Sequence, residues 1–162
     1  MKQLILMRHA KAEKDSPSGE DIDRRLTERG RFEARSTALM FRDYDIKPDF
    51  ALVSNAARTR GTFEQIGMVL GEIPSLVSPD LYNAGAEAVR RFIESHEDDG
   101  GCLLVVGHNP GVQLLASDYL YEGAAGPEVI EKVRGGFPTA AAAVFSVDAA
   151  GRPLYDGFYV PK

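Results

Sequence analysis

Gln3-Leu4-Ile5-Leu6-Met7 runs directly into Arg8 and His9 near the start of the chain. A short, unbroken apolar run between polar residues is typical of a strand that is buried on both faces of a parallel sheet. The same pattern occurs at Phe50-Ala51-Leu52-Val53 and at Cys102-Leu103-Leu104-Val105-Val106. These three runs therefore predict the central strands of an α/β sheet.

Helical patterns follow the first two predicted strands. From Thr27, which suits an N-cap, apolar residues recur at offsets typical of a helix: Phe32, Ala38, Leu39 and Phe41. The segment before this helix, residues 11–26, is polar and predicts a surface loop. A second helix is predicted from about Ala57 to Leu70, where Gly71 is expected to end it.

Two further helices are predicted to flank the third strand. The apolar face of the helix before it consists of Ala86, Val89, Phe92 and Ile93. The helix after it is expected to begin near Asn109 as the N-cap, with Pro110 in the first helical position, where a missing N–H costs nothing. Residues 128–134 predict a short fifth helix.

The C-terminal region has the pattern of an antiparallel hairpin. Strand-like runs at residues 143–147 and 154–160 flank a turn at Asp148-Ala149-Ala150-Gly151. Together with the alternation of strands and helices, this predicts a single three-layer α/β/α domain over residues 1–162, mostly parallel with an antiparallel edge near the C-terminus. A chain of 162 residues can bury one core, and its short connections leave no room for a large cap domain.

Charge and composition argue against several classes of protein. The 19 basic and 24 acidic residues give a net charge of −5, which is unlike a nucleic-acid-binding or membrane-surface protein. The first apolar run ends at Met7, where Arg8 follows, and this is too short for a secretory signal. No run reaches the roughly 20 apolar residues of a membrane span. The lone cysteine, Cys102, is predicted to be a core thiol. We therefore expect a soluble, cytoplasmic protein.

Unusual polar groups follow all three predicted central strands. Arg8 and His9 follow the first, Arg58 lies shortly after the second, and His108 follows the third. Because ligands bind at the carboxyl ends of strands in open α/β sheets, we expect these side chains to meet in one pocket. Guanidinium forks and free N–H groups at helix N-termini are suited to binding phosphoryl oxygens.

Other uses of the histidines have less support. A metal site would need a third ligand beside His9 and His108, and two arginines would repel a cation. We therefore expect neither a metal nor another cofactor. His96 lies in the polar helix end Ser95-His96-Glu97-Asp98 and is predicted to be exposed.

At these residues the sequence resembles the histidine phosphatase superfamily, and in particular its SixA-like phosphohistidine phosphatases. The Arg-His-Gly motif of that family corresponds to Arg8-His9-Ala10. Further matches are residues 4–7, residues 23–30 near the family's Arg-Pro-Leu-Thr-x-x-Gly, Ser54-x-Ala56-x-Arg58-Thr59, and Gly107-His108-Asn109-Pro110. Three departures leave the reacting groups in place: Ala10 replaces Gly, Arg25 stands where Pro is common, and Gly61 replaces a frequent Gln.

The resemblance implies a role for each matching residue. His9 would be the nucleophile that accepts the phosphoryl group, Arg8, Arg58 and His108 would bind the phosphoryl oxygens, and Arg24 would line the rim of the site. To attack phosphorus, a neutral His9 must present one ring nitrogen while the other keeps its proton, and a main-chain carbonyl is the expected acceptor of that proton.

The general acid remains open at this point. Larger members of the superfamily often place a carboxyl group on a loop where this chain has Tyr82 and Asn83. An alkoxide needs a proton in order to leave, whereas a protonated phosphoimidazole leaves as neutral imidazole, so a missing acid favours a P–N substrate. Alternatively, the proton comes from another carboxyl group, for which the candidates are Asp80, Glu87, Asp21 and Asp23.

Three functions are compatible with these residues. The first is a phosphohistidine phosphatase that acts on a phosphorylated protein through a covalent intermediate on His9. The second is a phosphatase or mutase-like phosphotransferase of the same superfamily that acts on a small phosphate monoester. The third is a non-catalytic module that binds phosphate or a phosphoprotein. None involves nucleic acid or a membrane, and the sequence predicts no oligomeric state.

Overall fold

Six strands form the central sheet of the computed structural model, which describes residues 1–161. The strands are β1 (Gln3–Arg8), β2 (Phe50–Ser54), β3 (Ser75–Ser78), β4 (Cys102–Gly107), β5 (Ala142–Val147) and β6 (Pro153–Tyr159). The helices are α1 (Glu28–Asp43), α2 (Ala57–Leu70), α3 (Ala86–Ser95), α4 (Gly111–Glu122) and α5 (Pro127–Gly135), with single 3-10 turns at Asp21–Asp23 and Pro79–Leu81.

The sheet has the strand order β3-β2-β4-β1-β5-β6. Its first four strands are parallel, whereas β5 runs antiparallel to β1 and β6 antiparallel to β5. This arrangement confirms the predicted α/β sheet, mostly parallel with an antiparallel edge near the C-terminus. It also places the carboxyl ends of β1, β4 and β2 side by side, where the predicted site residues follow.

Alternation along the strands divides the core into two apolar layers. Leu4 and Leu6 of β1 pack with α3, α4 and α5, whereas Ile5 and Met7 pack with α1 and α2 on the opposite face. Because both faces of the sheet are covered, the central strands read as continuous apolar runs. The three-layer prediction is confirmed, and the described residues contain no large cap domain.

The predicted position of helix α1 is confirmed, but its predicted apolar face is not. The Thr27 hydroxyl caps it by accepting a hydrogen bond from the Gly30 N–H at 2.9 Å. Its buried face includes Ala34, Ala38 and Phe41, whereas Phe32 is 57% exposed. Leu39 is also exposed, so the predicted apolar face was partly wrong because two large side chains point to the surface.

Glycine is needed where α1 passes the loop after β1. A Cβ atom on Gly30 would lie only 2.1 Å from the Lys11 carbonyl oxygen. This close approach holds the loop that contains Lys11 against the first turn of the helix.

Two local predictions differ from the structure. Strand β3 was not predicted, because it has only four residues and lies at the edge of the sheet with three of them exposed. Asn109 is not the N-cap of α4: Pro110 occupies that position, and the Asn109 amide instead donates to the Phe137 carbonyl at 3.0 Å. A tertiary hydrogen bond has replaced the local one.

Several other local predictions are confirmed. Helix α2 has the predicted limits, and Gly71 follows it with φ of 91°, a conformation that favours glycine. Cys102 is buried, and burial raises its thiol pKa to about 12. No helix within residues 1–161 is both long and apolar enough to cross a membrane.

Candidate active site

A cavity of about 500 Å³ opens at the carboxyl ends of the parallel strands. The five residues singled out from the sequence all line it: Arg8, His9, Arg24, Arg58 and His108. The structure therefore brings together side chains that arise from four separate regions of the chain.

Strand register explains why the two histidines are neighbours. Arg8, the last residue of β1, is paired with Gly107, the last residue of β4. The His9 N–H then donates to the Gly107 carbonyl at 3.0 Å, so that His9 and His108 leave adjacent strand ends together. Their ring centroids lie 5.4 Å apart.

The main chain determines which nitrogen of His9 carries the proton. Nδ1 lies 2.7 Å from the Ala10 carbonyl oxygen, and because a carbonyl only accepts hydrogen bonds, Nδ1 must donate. Nε2 therefore carries the lone pair in the neutral ring. The Ala10 N–H in turn donates to the Thr62 hydroxyl at 2.8 Å, which holds the Ala10 main chain in place. The expected main-chain partner of His9 is confirmed.

Burial keeps the His9 ring neutral. Desolvation, together with the nearby guanidinium of Arg58 and then that of Arg8, lowers the pKa of His9 to about 4. At neutral pH the ring is therefore uncharged, with an oriented hydrogen bond on one nitrogen and a free electron pair on the other.

His108 is also buried and neutral. Its pKa falls to about 3, first because of burial and then because of the Arg58 charge. Nε2 lies 2.8 Å from the Ser54 hydroxyl, while Nδ1 is buried with no hydrogen-bond partner among residues 1–161. The Tyr82 ring packs edge-on against it at 5.6 Å.

Two guanidiniums in the cavity wall are only partly paired. Arg58, 3% exposed, donates from Nη1 to the Asp21 carbonyl at 2.9 Å and from Nη2 to the Asp21 carboxylate at 3.1 Å. Arg8 donates from Nη1 to the Phe137 carbonyl at 3.1 Å. The Nε atoms of both arginines are buried without a partner in the described chain. Each of these two guanidiniums therefore retains an N–H donor that no described protein group accepts.

Asp21 is the acidic group of this cavity. Its carboxylate accepts hydrogen bonds from the Tyr82 hydroxyl, from Arg24 Nε at 2.9 Å and from Arg58 Nη2 at 3.1 Å. These donors, the Tyr82 hydroxyl foremost and then Arg24, lower the pKa of Asp21 to about 2. Asp21 is therefore a carboxylate at neutral pH and has no proton to donate.

The other candidate acids do not line the cavity. Asp23 accepts from the Ser18 hydroxyl at 2.6 Å. Asp80 lies in the second 3-10 turn, and Glu87 lies in the first turn of α3. Of the four carboxyl groups left open by the sequence, only Asp21 reaches the site.

Several site residues were not identified from the sequence. Tyr82 was noted only as a residue in place of a carboxyl group, although it contacts Asp21, Arg58 and His108. The supporting roles of Ser54 and Thr62 were also missed. Ser54 and Tyr82 lay within segments noted from the family pattern, but no sequence signal shows what they contact.

His96 serves as a contrast to the site histidines. Its ring packs on Phe92 at 4.8 Å, and Nδ1 lies 2.8 Å from the Asp99 carboxylate. It is partly buried, so the prediction that His96 is exposed was wrong: the neighbouring aromatic ring covers one side. Residues 1–161 contain no cluster of three potential metal ligands.

The chain matches the family model of the histidine phosphatase superfamily (branch 1) over residues 4–85. The chain belongs to the histidine phosphatase superfamily. It is therefore a hydrolase of the phosphatase type. An uncharacterised protein of Mycobacterium tuberculosis is 32% identical over 163 residues, which cover 96% of this chain and all of the relative.

Solved structures place this histidine phosphatase in the SixA-like branch. The SixA protein from Agrobacterium tumefaciens has a TM-score of 0.85 and 29% identity, with 99% of this chain and 98% of that chain covered. The protein histidine phosphatase SixA in complex with tungstate has a TM-score of 0.81 and 25% identity, with 98% and 97% covered.

Proposed function

We propose that this histidine phosphatase removes the phosphoryl group from phosphohistidine on a protein, through a covalent intermediate on His9. The observation that carries the proposal is the charge state of Asp21, the only carboxyl group that lines the described cavity. Three donors keep it deprotonated. An alkoxide leaving group would need a proton that this site lacks, whereas the imidazole of a protonated phosphohistidine leaves without one.

The first step transfers the phosphoryl group to His9. The lone pair on Nε2 forms a bond to phosphorus, and the P–N bond of the substrate breaks with its electron pair moving to the leaving ring. That ring keeps the proton on its other nitrogen and departs as neutral imidazole. The Ala10 carbonyl holds the Nδ1 proton of His9 throughout, so the nucleophile is correctly oriented without a side-chain base.

Fixed donors offset the charge on the transferring group. Arg8 and Arg58 are positioned to bind the phosphoryl oxygens as preorganised cations, which is the main contribution proteins make to phosphoryl transfer. If the Ser54 hydroxyl donates to Nε2 of His108, Nδ1 carries the proton and supplies a further donor. Arg24, held by Asp21, lies at the rim.

Hydrolysis of the intermediate also needs no acid. Phosphorylated His9 retains the Nδ1 proton on the Ala10 carbonyl and is therefore itself a protonated phosphoimidazole. When water attacks phosphorus, the electron pair returns to Nε2 and His9 leaves as the neutral ring. Both half-reactions thus have the same leaving group, which is the reason why a site without a proton donor suits a P–N substrate.

Two further observations support a protein substrate. The cavity opens directly at the sheet edge, and the described chain has no cap domain to enclose a small metabolite. SixA relatives that share 25 and 29% of their residues are named as phosphohistidine phosphatases, and one is bound to tungstate, a tetrahedral oxyanion like phosphate.

A comparison of substrates tests the proposal. The wild-type protein and a His9→Ala blank would be assayed on a phosphohistidine protein, on sugar phosphates and on an aryl phosphate whose phenolate leaves without a proton. We expect the fastest turnover with phosphohistidine, slower turnover with the aryl phosphate and the slowest with sugar phosphates. After an acid-free quench, phosphate label should be found on His9 and be absent from His9→Ala.

Other outcomes would support the alternatives. Fastest turnover of sugar phosphates would indicate a monoester phosphatase, and transfer to an added sugar acceptor would indicate a mutase-like enzyme. Phosphate binding without turnover of any substrate would indicate a binding module. A chelator should leave all rates unchanged, and strong inhibition would instead indicate a metal.

A further inference from the structure

The cavity has one negative side chain among several positive ones. Arg8, Lys11, Arg24 and Arg58 supply its cations, and Asp21 is the only acid that lines it in the described chain. The carboxylate of Asp21 is not sealed in the wall, because its side chain remains 47% exposed. It therefore lies where a leaving group at the cavity mouth can reach it.

We propose that Asp21 is a specificity-determining residue whose carboxylate accepts a hydrogen bond from the protonated ring of phosphohistidine and so favours P–N over P–O substrates. This inference rests on the proposed function, and it assigns to Asp21 a contact with the substrate in addition to its contacts with the arginines.

Charge balance supports this contact. A protonated phosphohistidine ring brings a positive charge into a cavity that already contains four cationic side chains. The ring must lie on the side of the phosphoryl group opposite His9, and Asp21 is the acidic side chain of the described cavity that can offset its charge. A sugar or aryl group carries no such charge and gains nothing from the carboxylate.

The hydrogen-bonding capacity of Asp21 also permits the contact. A carboxylate offers about four acceptor positions. Three donors use them in the structure: Tyr82 beside the second 3-10 turn, Arg24 after the first 3-10 turn, and Arg58 from α2. One position is left for the N–H of a substrate ring. The low pKa of Asp21, about 2, means that the carboxylate stays charged at any pH at which this ring is protonated.

The effect should appear in substrate binding more than in the chemical step. The ring loses its positive charge as the P–N bond breaks, since the bonding electron pair moves to the ring nitrogen. Asp21 therefore stabilises the bound, protonated substrate at least as much as the transition state, and such an interaction lowers KM without raising kcat. It also keeps the bound ring protonated at a higher pH than the free ring.

The test is the Asp21→Asn variant, with Asp23→Asn as the matched control from the same 3-10 turn. The probe is a synthetic phosphohistidine peptide, and the aryl phosphate serves as the uncharged comparison. For Asp21→Asn we expect KM for the peptide to rise about tenfold or more, as for a lost hydrogen bond to a charged group. Because Asp21 also pairs with Arg58, kcat should change by a similar factor on both substrates, whereas the KM for the aryl phosphate should change much less than the KM for the peptide. Asp23→Asn should match the wild type.

The pH dependence gives a second readout. The ring pKa of the free peptide would be measured by NMR titration. In the wild type, kcat for the peptide should stay constant to a pH at least one unit above that value, because the bound ring stays protonated, and KM should rise between these two pH values. In Asp21→Asn, kcat should fall near the pKa of the free peptide and KM should change little with pH. Asp21→Glu keeps the charge and should retain the wild-type pH profile in part. It provides the test if Asp21→Asn fails to fold.

The outcomes separate this inference from the proposed function. Equal losses of kcat/KM on both substrates would overturn it, because Asp21 would then act only by positioning Arg58. An unchanged KM ratio and pH profile would also overturn it. If the wild-type protein fails to hydrolyse the peptide at all, the proposed function itself fails, whatever the variant does.

Discussion

The two ends of the sheet each contain an aspartate, and the two are used differently. At the amino end, the Asp49 carboxylate accepts the main-chain N–H groups of Gly101 and Cys102, both at 3.1 Å, and joins the beginnings of β2 and β4. At the carboxyl end, Asp21 contacts the side chains of Arg24, Arg58 and Tyr82. The Asp49 carboxylate stabilises the sheet, whereas the Asp21 carboxylate positions side chains around the cavity.

Unpartnered polar atoms show the same division. Five buried side-chain atoms of the described residues lack a hydrogen-bond partner: Arg8 Nε, Asn55 Oδ1, Arg58 Nε, His108 Nδ1 and Asn109 Oδ1. All five lie at the carboxyl ends of β1, β2 and β4 or in the segments that follow them. Because native proteins leave few such atoms, their concentration at one end marks where the molecule is arranged for a ligand and not for its own stability.

Replacement of Arg58 should give the largest effect at the carboxyl end. We expect Arg58→Ala to lower kcat/KM at least about 100-fold, as for the loss of a fixed transition-state donor. The free energy of unfolding should fall by only about 1 kcal/mol, because the Asp21 carboxylate that loses its partner is 47% exposed and remains hydrated. Steady-state kinetics and denaturant titration measure the two effects.

Arg90→Ala is the matched control for this change. Arg90 pairs with Glu122 and lies over Tyr119, away from the cavity. It should lose some stability and no activity. A large loss of stability in Arg58→Ala with unchanged activity would contradict the assignment of the carboxyl end of the sheet to ligand binding and of the amino end to stability.

Acid should affect the carboxyl end through His9. Because its pKa is lowered to about 4, kcat/KM for the aryl phosphate should be insensitive to His9 down to about pH 5 and fall about tenfold per unit below pH 4, as protonation removes the Nε2 lone pair. Stability should also decline as pH falls from about 6.5 toward 4, since the unfolded histidine binds a proton that the folded one rejects. An activity that already falls near pH 6.5 would show that His9 is not desolvated.

Thr62→Val tests the support behind His9. The substitution removes the acceptor of the buried Ala10 N–H and should cost about 1–3 kcal/mol of unfolding free energy. Because Ala10 also supplies the carbonyl that holds the His9 ring, kcat should fall several-fold. Ser117→Ala removes a hydroxyl on α4 that bonds only to the Gln113 carbonyl, and should leave kcat unchanged. Full activity in Thr62→Val would show that the Ala10 peptide needs no such support.

Asp49→Ala should give the smallest effect on activity. It leaves two N–H groups without their acceptor, so we expect a loss of about 1–2 kcal/mol in the free energy of unfolding. The kcat and KM should not change, because no Asp49 contact reaches the cavity. Asp43→Ala, which breaks an exposed pair with Arg42, should change neither quantity. Reduced kcat in Asp49→Ala would mean that the amino end also positions the site.

Much of the fold could be predicted because it depends on local patterns. Strands β1, β2 and β4 are continuous apolar runs, and helix α2 ends at a glycine. Strand β3 has no such pattern, since an edge strand of four residues buries little. The prediction that Asn109 caps α4 was wrong because its side chain instead donates a hydrogen bond to the distant Phe137 carbonyl.

Some features of the site could likewise be predicted from the sequence, and others could not. That Arg8, His9, Arg58 and His108 meet follows from strand ends that share one edge, and the family pattern pointed to the same residues. The pairing of Asp21 with Tyr82 could not be predicted, because 61 residues separate them and neither lies in a regular pattern. Sequence reasoning named Asp21 only as one of four possible proton donors, whereas its contacts keep it deprotonated.

The sequence by itself determined which chemical groups are present and to which strand ends they belong, since the periodicity of apolar residues is a local property of the chain. The tertiary structure alone decided where the protons are. A pKa depends on desolvation and on charges brought close by distant segments, so the neutral rings of His9 and His108 and the charged carboxylate of Asp21 exist only after folding.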